Sequence, residues 1–283
     1  TMKVRKNPLP KRIVDILCFL LIGVFLPIVF IWDISVVLPA VHEPGSFMYN
    51  FTFAMALFIL FNLKGNLAVC MMVDTSYDPK AMEAPPAESE EHKDWRHCEH
   101  CDCLTPPRSW HCKICDVCIL KRDHHCLFTG CCIGHKNHRY FFIFLSYLFV
   151  GAIYALLYNC YYIFVINADL YFKPMTILII LFPFPLLLMG YWVALPLLIL
   201  VLNLIVLLYS SIMMVLQVQH VWHGAVKAEK RIKNKYDNGL YENLRDVLGE
   251  RMYLVWISPF SSSPLPHNGN SWKVSTTHQK EAE

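Results

Sequence analysis

Charged residues are scarce in this chain of 283 residues: Asp, Glu, Lys and Arg together make up 17%, against about a quarter in a soluble domain. That shortage argues against a soluble enzyme, and the 55% of hydrophobic residues argues against a disordered protein. The twelve cysteines are too few for a small disulfide-stapled secreted protein, in which cysteine exceeds about 8%. These exclusions leave an integral membrane protein with one polar, cysteine-rich insert.

Four apolar stretches are long enough to cross a bilayer, which takes about 20 residues. They predict spans at residues 13–32, 47–73, 141–166 and 195–218. Residues 175–194, which include Pro183, Pro185 and Gly190, are interpreted as a re-entrant or lumen-facing apolar hairpin. The alternative is two full crossings between residues 175 and 218, which would move the basic residues after the last span to the lumenal side.

The basic residues orient the chain, because cytosolic loops carry an excess of Lys and Arg. Of 25 Lys and Arg residues, 23 fall within residues 1–12, 74–140 and 219–283. We therefore expect an all-α integral membrane protein with four transmembrane helices, both termini cytosolic and a cytosolic cysteine-rich domain. We expect four segments. Residues 1–73 form the cytosolic N-terminus and the first two spans, and residues 74–140 form the cytosolic cysteine-rich domain. Residues 141–219 contain the third and fourth spans, and residues 220–283 form a cytosolic C-terminal region with a disordered tail. We expect an endomembrane, Golgi or endoplasmic reticulum, rather than the plasma membrane.

Nine of the twelve cysteines lie between Cys98 and Cys132. A cytosolic segment stays reduced, so disulfides are not expected. Cysteines at C-x2-C spacing place two sulfurs on one tight turn, as in zinc knuckles. Cysteines packed as small hydrophobic residues would not produce CxxC, HCxxCxxC and HHC within one short segment. Nine cysteines and several histidines suffice for two closed four-ligand zinc sites with a residue left over, so we expect a zinc-stapled cytosolic domain.

A residue beyond those ligands matters because the chain also contains four consecutive residues of catalytic type: Asp123, His124, His125 and Cys126. A cysteine acts as a nucleophile when it is a thiolate, and a neighbouring histidine can take its proton. An aspartate can hold that histidine in one tautomer, as in catalytic triads. His125 would point elsewhere and can be a metal ligand.

The segment from Cys98 to Phe141 resembles the DHHC-type protein S-acyltransferases, or palmitoyltransferases. It matches their pattern C-x2-C, then P-x-R-x2-H-C-x2-C-x2-C-x4-D-H-H-C-x5-C-x4-N, which ends at Asn137. Four spans with the insert between the second and third is also that family's layout. Residues 236–243 resemble the family's C-terminal motif, whose asparagine, here Asn243, supports the fold.

The resemblance implies a role for each site residue. Cys126 is the expected nucleophile, His124 its base and Asp123 the partner that orients the base. Arg108 resembles a basic residue near the acyl-CoA phosphates, a role that suits the bidentate guanidinium. Two structural zinc ions are implied, one held by Cys98, Cys101, His111 and Cys118, and the other by Cys112, Cys115, His125 and Cys132.

The chain departs from the family pattern without losing any of these residues. Leu127 and Phe128 follow the motif in place of Pro-Trp, and Cys131 replaces an asparagine. Of the Thr-Thr-x-Glu motif after the last span, only the glutamate, Glu229, is kept. Activity is therefore still expected, although its efficiency and acyl preference do not follow from the pattern.

The predicted function is transfer of a long-chain acyl group, palmitoyl, from acyl-CoA to protein cysteines through an acyl-cysteine intermediate, a ping-pong scheme. Phe128, Phe141 and Phe144 are predicted walls of an apolar acyl cavity. The expected partners are acyl-CoA, the bilayer and membrane-associated proteins with cytosolic cysteines, and no nucleic acid. One alternative is a non-catalytic zinc-stapled membrane adaptor. Another is a RING-type ubiquitin ligase, which has no use for the additional Asp-His-x-Cys.

Overall fold

The computed structural model describes residues 3–82, 84–229 and 235–275. Four of its helices are long and apolar enough to cross a membrane: α1 (Ile13–Val41), α2 (Phe47–Met72), α3 (His138–Ile166) and, later in the chain, a helix over Tyr191–Trp222. The prediction of four spans in a mostly helical protein is confirmed in that sense. Their helical form follows from the bilayer, where every backbone polar group needs a partner within the segment.

The helix boundaries differ modestly from the predicted ones. The α-helical part of α1, Ile13–Trp32, has the predicted bounds, but a π-helical segment at Asp33–Val37 carries the helix further. Helix α3 begins three residues earlier than predicted and also ends in a π-helical segment, Tyr162–Ile166. Such segments are rare in helices and widen the local turn, so hydropathy alone does not reveal them.

Between α3 and the last span the chain forms short elements. Helix α4 (Pro174–Leu181) has 8 residues and is followed by a 3-10 turn at Phe184–Leu188. At 1.5 Å per residue α4 is only about 12 Å long, against a hydrocarbon core of about 30 Å. Helix α5 (Tyr191–Trp222) then starts four residues before the predicted span. This described stretch holds one helix of span length, which argues against two full crossings.

The cysteine-rich segment folds into three antiparallel two-stranded hairpins, a detail that sequence analysis did not predict. They are β1 (Arg96–Cys98) with β2 (Cys103–Thr105), β3 (Trp110–Cys112) with β4 (Val117–Ile119), and β5 (His124–Cys126) with β6 (Cys131–Ile133). In the first two, the residue after the second cysteine of CxxC has a positive φ: 46° at Asp102 and 55° at Asp116. Aspartate tolerates this left-handed conformation better than most residues do, so both turns reverse the chain in the same way.

The chain divides into two compact units. The first comprises the described parts of Thr1–Phe19, Lys64–Phe144 and Val215–Glu283, and the second comprises Leu20–Leu63 and Leu145–Met214. The first contains the hairpins, the 3-10 turn Lys227–Glu229 and helix α6 (Leu240–Leu248). Its interior includes fully buried Leu120 and Ile133, which lie at the hairpins. Both candidate metal clusters and the Asp123, His124 and Cys126 side chains described next belong to this first unit.

Candidate active site and metal clusters

Two groups of four side chains could each hold a metal ion, because their ligand atoms lie within 4.8 Å of one another. They are the two interleaved sets that the family resemblance implied. The first cluster consists of Cys98, Cys101, His111 and Cys118, and the second cluster consists of Cys112, Cys115, His125 and Cys132.

Strand geometry explains the interleaving. Successive residues of a strand point to opposite faces, so His111 and Cys112 on β3 serve different clusters. Residues directly opposite in a hairpin share a face. His111 is opposite Cys118, and His125 is opposite Cys132. Each of these pairs supplies half of one cluster.

The spacing of the donor atoms fits a tetrahedral ion. Two sulfurs bound to zinc at about 2.3 Å with tetrahedral geometry lie roughly 3.8 Å apart. The sulfur atoms of Cys101 and Cys118 are 3.7 Å apart, and those of Cys115 and Cys132 are also 3.7 Å apart. Three thiols and one imidazole form a common structural zinc site. Each cluster is therefore suited to one structural metal ion.

The strand alternation that places His125 in the second cluster separates His124 from it. His124 and Cys126 are two residues apart on β5 and therefore share the other face of the strand. Cys126 is buried, with 5% of its surface exposed, and His124 is partly buried. A single extended strand of three residues thus places His125 in the second cluster and His124 on the face that carries the Cys126 thiol.

The imidazole of His124 has its two nitrogens in different surroundings. Nδ1 lies 2.7 Å from Oδ2 of Asp123. Nε2 is buried and has no hydrogen-bond partner among the described residues. Phe141 packs edge-on against the ring, with 5.1 Å between centroids. Asp123 therefore fixes the ring through one nitrogen and leaves the other free to exchange a proton.

Asp123 is itself held by the residues that follow the core of the last span. Its side chain is fully buried, the amide of Gln217 donates to Oδ2 at 2.8 Å, and the backbone N–H of Lys227 donates to Oδ1 at 2.7 Å. Nε2 of His138 lies 3.0 Å from Oε1 of Gln217 and extends the network. Sequence analysis missed Gln217, for which the only signal is an amide near the end of an apolar helix.

Electrostatics in the Asp123–His124 pair favour charge on both groups. Burial raises the pKa of Asp123, but the hydrogen bond with His124 and nearby positive charge hold it well below its usual range. Burial lowers the pKa of His124, whereas the hydrogen bond with Asp123 and the neighbouring Cys126 thiol raise it to about 9. The pair is therefore arranged to stabilise an imidazolium, the form that His124 takes after accepting a proton.

Arg108 lies in the same unit but is fully enclosed. Its guanidinium donates to both carboxylate oxygens of Glu229, at 2.6 and 2.7 Å, and to the carbonyl of Gly224 at 2.7 Å. The rings of Tyr236 and Trp272 lie 4.3 and 4.5 Å from it. In this structure its donors face protein groups, so the contact with acyl-CoA phosphates stays a prediction. Glu229, the part of its motif that this chain keeps, is thus the ion-pair partner of Arg108.

An apolar cavity lies within the second unit. All four spans contribute to its lining, with Phe25, Ile59, Ala152 and Val206 as examples. The predicted wall residues Phe128, Phe141 and Phe144 are not among the residues that line it. Phe141 lies beside His124, and Phe144 lies 6.5 Å from Phe141. Their role toward an acyl chain therefore stays a prediction.

Comparison with known proteins agrees with these features. A family model described as DHHC palmitoyltransferase matches residues 91–235, slightly more than half of the chain. The "Probable palmitoyltransferase ZDHHC24" of Danio rerio is 31% identical over 195 residues, 65% of this chain and 63% of that protein. Proteins of the same name from Rattus norvegicus and Homo sapiens are 39% identical over 64 and 62 residues, 23% and 22% of this chain and 21% and 20% of theirs. The matches thus span less than two thirds of these relatives.

Proposed function

The chain belongs to the DHHC palmitoyltransferase family, and on that premise we propose that it transfers a long-chain acyl group, palmitoyl, from acyl-CoA to cysteine thiols of proteins. The observation that carries the proposal is the arrangement of Cys126 and His124 on one face of β5, with Asp123 on Nδ1. Among the described residues, Nε2 has no hydrogen-bond partner. This arrangement has the parts of an activated thiol: nucleophile, base and a group that orients the base.

In the first half-reaction, Nε2 of His124 takes the proton of the Cys126 thiol. The resulting thiolate attacks the carbonyl carbon of the acyl-CoA thioester, a new carbon–sulfur bond forms, and the bond to the CoA sulfur breaks. The imidazolium then returns its proton to the CoA thiolate. Asp123 does not touch the substrate; it stabilises the imidazolium and keeps Nε2 directed toward the thiol, as in other triads.

In the second half-reaction, the same nitrogen takes the proton of a substrate cysteine. The substrate thiolate attacks the acyl-Cys126 thioester, and Cys126 leaves as a thiolate that recovers the proton from His124. Each half-reaction exchanges one thioester for another, so no oxidant or further cofactor is needed. A hydrocarbon substituent on Cys126 would have Phe128, Phe141 and Phe144 as apolar neighbours, as the sequence predicts.

We assign zinc to the two clusters, since three thiolates and one imidazole are its preferred structural donors. When bound, the ions would supply only structural cross-links, because four protein ligands leave no position for substrate. The second cluster uses His125, which directly precedes Cys126 on β5, and Cys132 on β6, opposite His125. Its role is to hold the hairpin that carries the nucleophile.

We assign both termini and the hairpins to the cytosol, because residues 74–140 and 219–283 carry most of the basic residues. An endomembrane is the proposed location, and membrane-associated proteins with cytosolic cysteines are the proposed substrates. Since cytosolic acyl-CoA must reach Cys126, this sidedness is also what the chemistry requires.

The deciding experiment is autoacylation of the purified chain with labelled palmitoyl-CoA, using Cys126→Ser and, as a matched control, Cys131→Ser on the opposite strand. We expect the parent protein and the control to form a thioester that neutral hydroxylamine releases. Cys126→Ser should form none while keeping two zinc ions, because a serine hydroxyl is far less acidic than a thiol. Label on Cys126→Ser would overturn the assignment of the nucleophile. An unlabelled parent protein with two zinc ions would favour the adaptor.

A further inference from the structure

Asp15 is a buried carboxylate in the first turn of α1, and only 1% of its surface is exposed. An acidic side chain at the start of a membrane-crossing helix is costly unless it has a partner. Its Oδ2 lies 3.2 Å from Nε2 of His125, and its Oδ1 is buried without a hydrogen-bond partner among the described residues. Within the described part of the chain, the contact that compensates this carboxylate is therefore the histidine of the second cluster.

The two nitrogens of His125 face different groups. Nδ1 lies 3.4 Å from the sulfur of Cys115 and 3.8 Å from that of Cys132, whereas Nε2 faces Asp15. An imidazole that binds a metal through Nδ1 carries its proton on Nε2, which must then donate to an acceptor. Metal-bound histidines commonly donate to a carboxylate, which fixes the tautomer and ring orientation and makes the ligand more basic.

We infer that Asp15 is the positioning carboxylate of the second cluster: it accepts the Nε2 hydrogen of His125 and thereby ties the first span to the hairpin that carries Cys126. Asp15 is not a metal ligand, since His125 stands between it and the sulfurs. The inference rests on the metal assignment in the proposed function. It assigns a role to a residue 110 positions away from its partner, outside every motif of the cysteine-rich segment.

The first cluster offers an internal contrast. Its histidine, His111, has Nε2 3.7 Å from Oδ1 of Asp116, which is longer than a hydrogen bond. The side chain of Asp116 is 91% exposed, whereas that of Asp15 is 2% exposed. Both histidines thus have an aspartate near Nε2, but only Asp15 is close and buried. Asp116 is for this reason a matched control for Asp15.

The test compares Asp15→Ala, Asp15→Asn and, as a control that keeps the left-handed turn, Asp116→Asn in the full chain, purified in detergent with its zinc. Zinc release to a chelator is followed over time, and alkylation of Cys112, Cys115 and Cys132 is compared with that of the other cluster by mass spectrometry. We expect Asp15→Ala to release one of the two zinc ions about 10- to 100-fold faster, with alkylation confined to the second cluster. Asp15→Asn should be intermediate, because its neutral amide oxygen accepts more weakly. Asp116→Asn should match the parent.

Release from Asp15→Ala at the parent rate would overturn the inference, as would equal acceleration at both clusters. If Asp15→Ala does not fold, the isosteric Asp15→Asn decides, and parent-like release from it refutes the role. The zinc content of the parent protein tests the metal assignment separately from the role of Asp15. Fewer than two zinc ions in folded parent protein would overturn the metal assignment, whatever the variants do.

Discussion

The two metal clusters have the same donor set, three cysteines and one histidine, but different surroundings. The first cluster joins the β1–β2 and β3–β4 hairpins, and its histidine has an exposed aspartate beyond hydrogen-bond range. The second cluster includes ligands from β6 and from β5, the strand that ends at Cys126, and its histidine faces a buried aspartate of α1. The identical donor sets suit both clusters to the same kind of metal ion. Their different neighbours decide which parts of the protein each cluster holds together, and only the second cluster is tied to the strand that carries Cys126.

The largest expected difference comes from deleting one cysteine ligand in each cluster. Cys132→Ala should lose one zinc ion and all autoacylation, because the β5–β6 hairpin loses its cross-link. Cys98→Ala should also lose one zinc ion but keep measurable autoacylation, since its hairpin carries no reacting group. Zinc content and acyl-enzyme formation are measured on the same samples. Complete inactivity of Cys98→Ala in folded protein would erase the proposed difference between the clusters.

The adjacent histidines test the division of labour along β5. His124→Ala should keep both zinc ions and reduce the rate of autoacylation by about 10²- to 10⁴-fold, the usual contribution of a general base. His125→Ala should instead lose zinc from the second cluster. Metal analysis and single-turnover acylation distinguish the two. Zinc loss from His124→Ala would mean that the strand alternation has been assigned to the wrong faces.

The third prediction concerns the buried Arg108–Glu229 ion pair, which stabilises the first unit independently of the metal clusters. Glu229→Ala leaves the Arg108 guanidinium buried and unpaired, and breaking such a pair costs about 3–5 kcal/mol. Thermal unfolding in detergent, with zinc kept saturating, should show a large loss of stability. The control is Glu250→Ala, which breaks the exposed pair with Arg245 and should leave the transition unchanged. Equal effects of the two substitutions would show that the Arg108–Glu229 pair adds nothing beyond a surface contact.

The smallest effect is expected at Gln217, which acts on the chemistry only through Asp123. Gln217→Leu removes a hydrogen bond to a charged group, worth about 1.5–3 kcal/mol, so autoacylation should slow by about 10- to 100-fold with unchanged zinc content. Gln219→Leu, on an exposed position of the same helix, should be silent. Recovery of the autoacylation rate in a Gln217→His variant would confirm that residue 217 positions Asp123 through a hydrogen bond. An unaltered rate in Gln217→Leu would exclude this role.

The sequence predicted the features that depend on neighbours in the chain. Apolar runs predicted the four spans, and the spacing from Cys98 to Cys132 together with the family resemblance predicted both metal groups. The period-2 alternation of a short strand explains why consecutive residues such as His124 and His125 have different roles. The hairpins themselves were not predicted, because three-residue strands between CxxC turns leave almost no periodicity to read.

The partners that pair across the fold were not predictable in the same way. Asp15 meets His125, Gln217 meets Asp123, and Arg108 meets Glu229 across separations of 94 to 121 residues. Asp15 and Gln217 lie in apolar helices outside any motif, and the motifs that contain the other four residues do not name their partners. The assignment of Arg108 to acyl-CoA came from the resemblance alone, and only the structure shows which groups it contacts.

The separation of Arg108 from Glu229 also bears on how the protein is made. A ribosome adds about 5–20 residues per second, so at least about 6 s pass between synthesis of the cation and synthesis of its carboxylate partner. The backbone N–H of Lys227 that binds Asp123 emerges in the same late interval. A nascent chain that ends before residue 227 already contains every proposed zinc ligand and the nucleophile, yet it cannot neutralise the buried guanidinium. The Arg108–Glu229 pair and the bond from Lys227 to Asp123 can therefore form only after the fourth span has been translated.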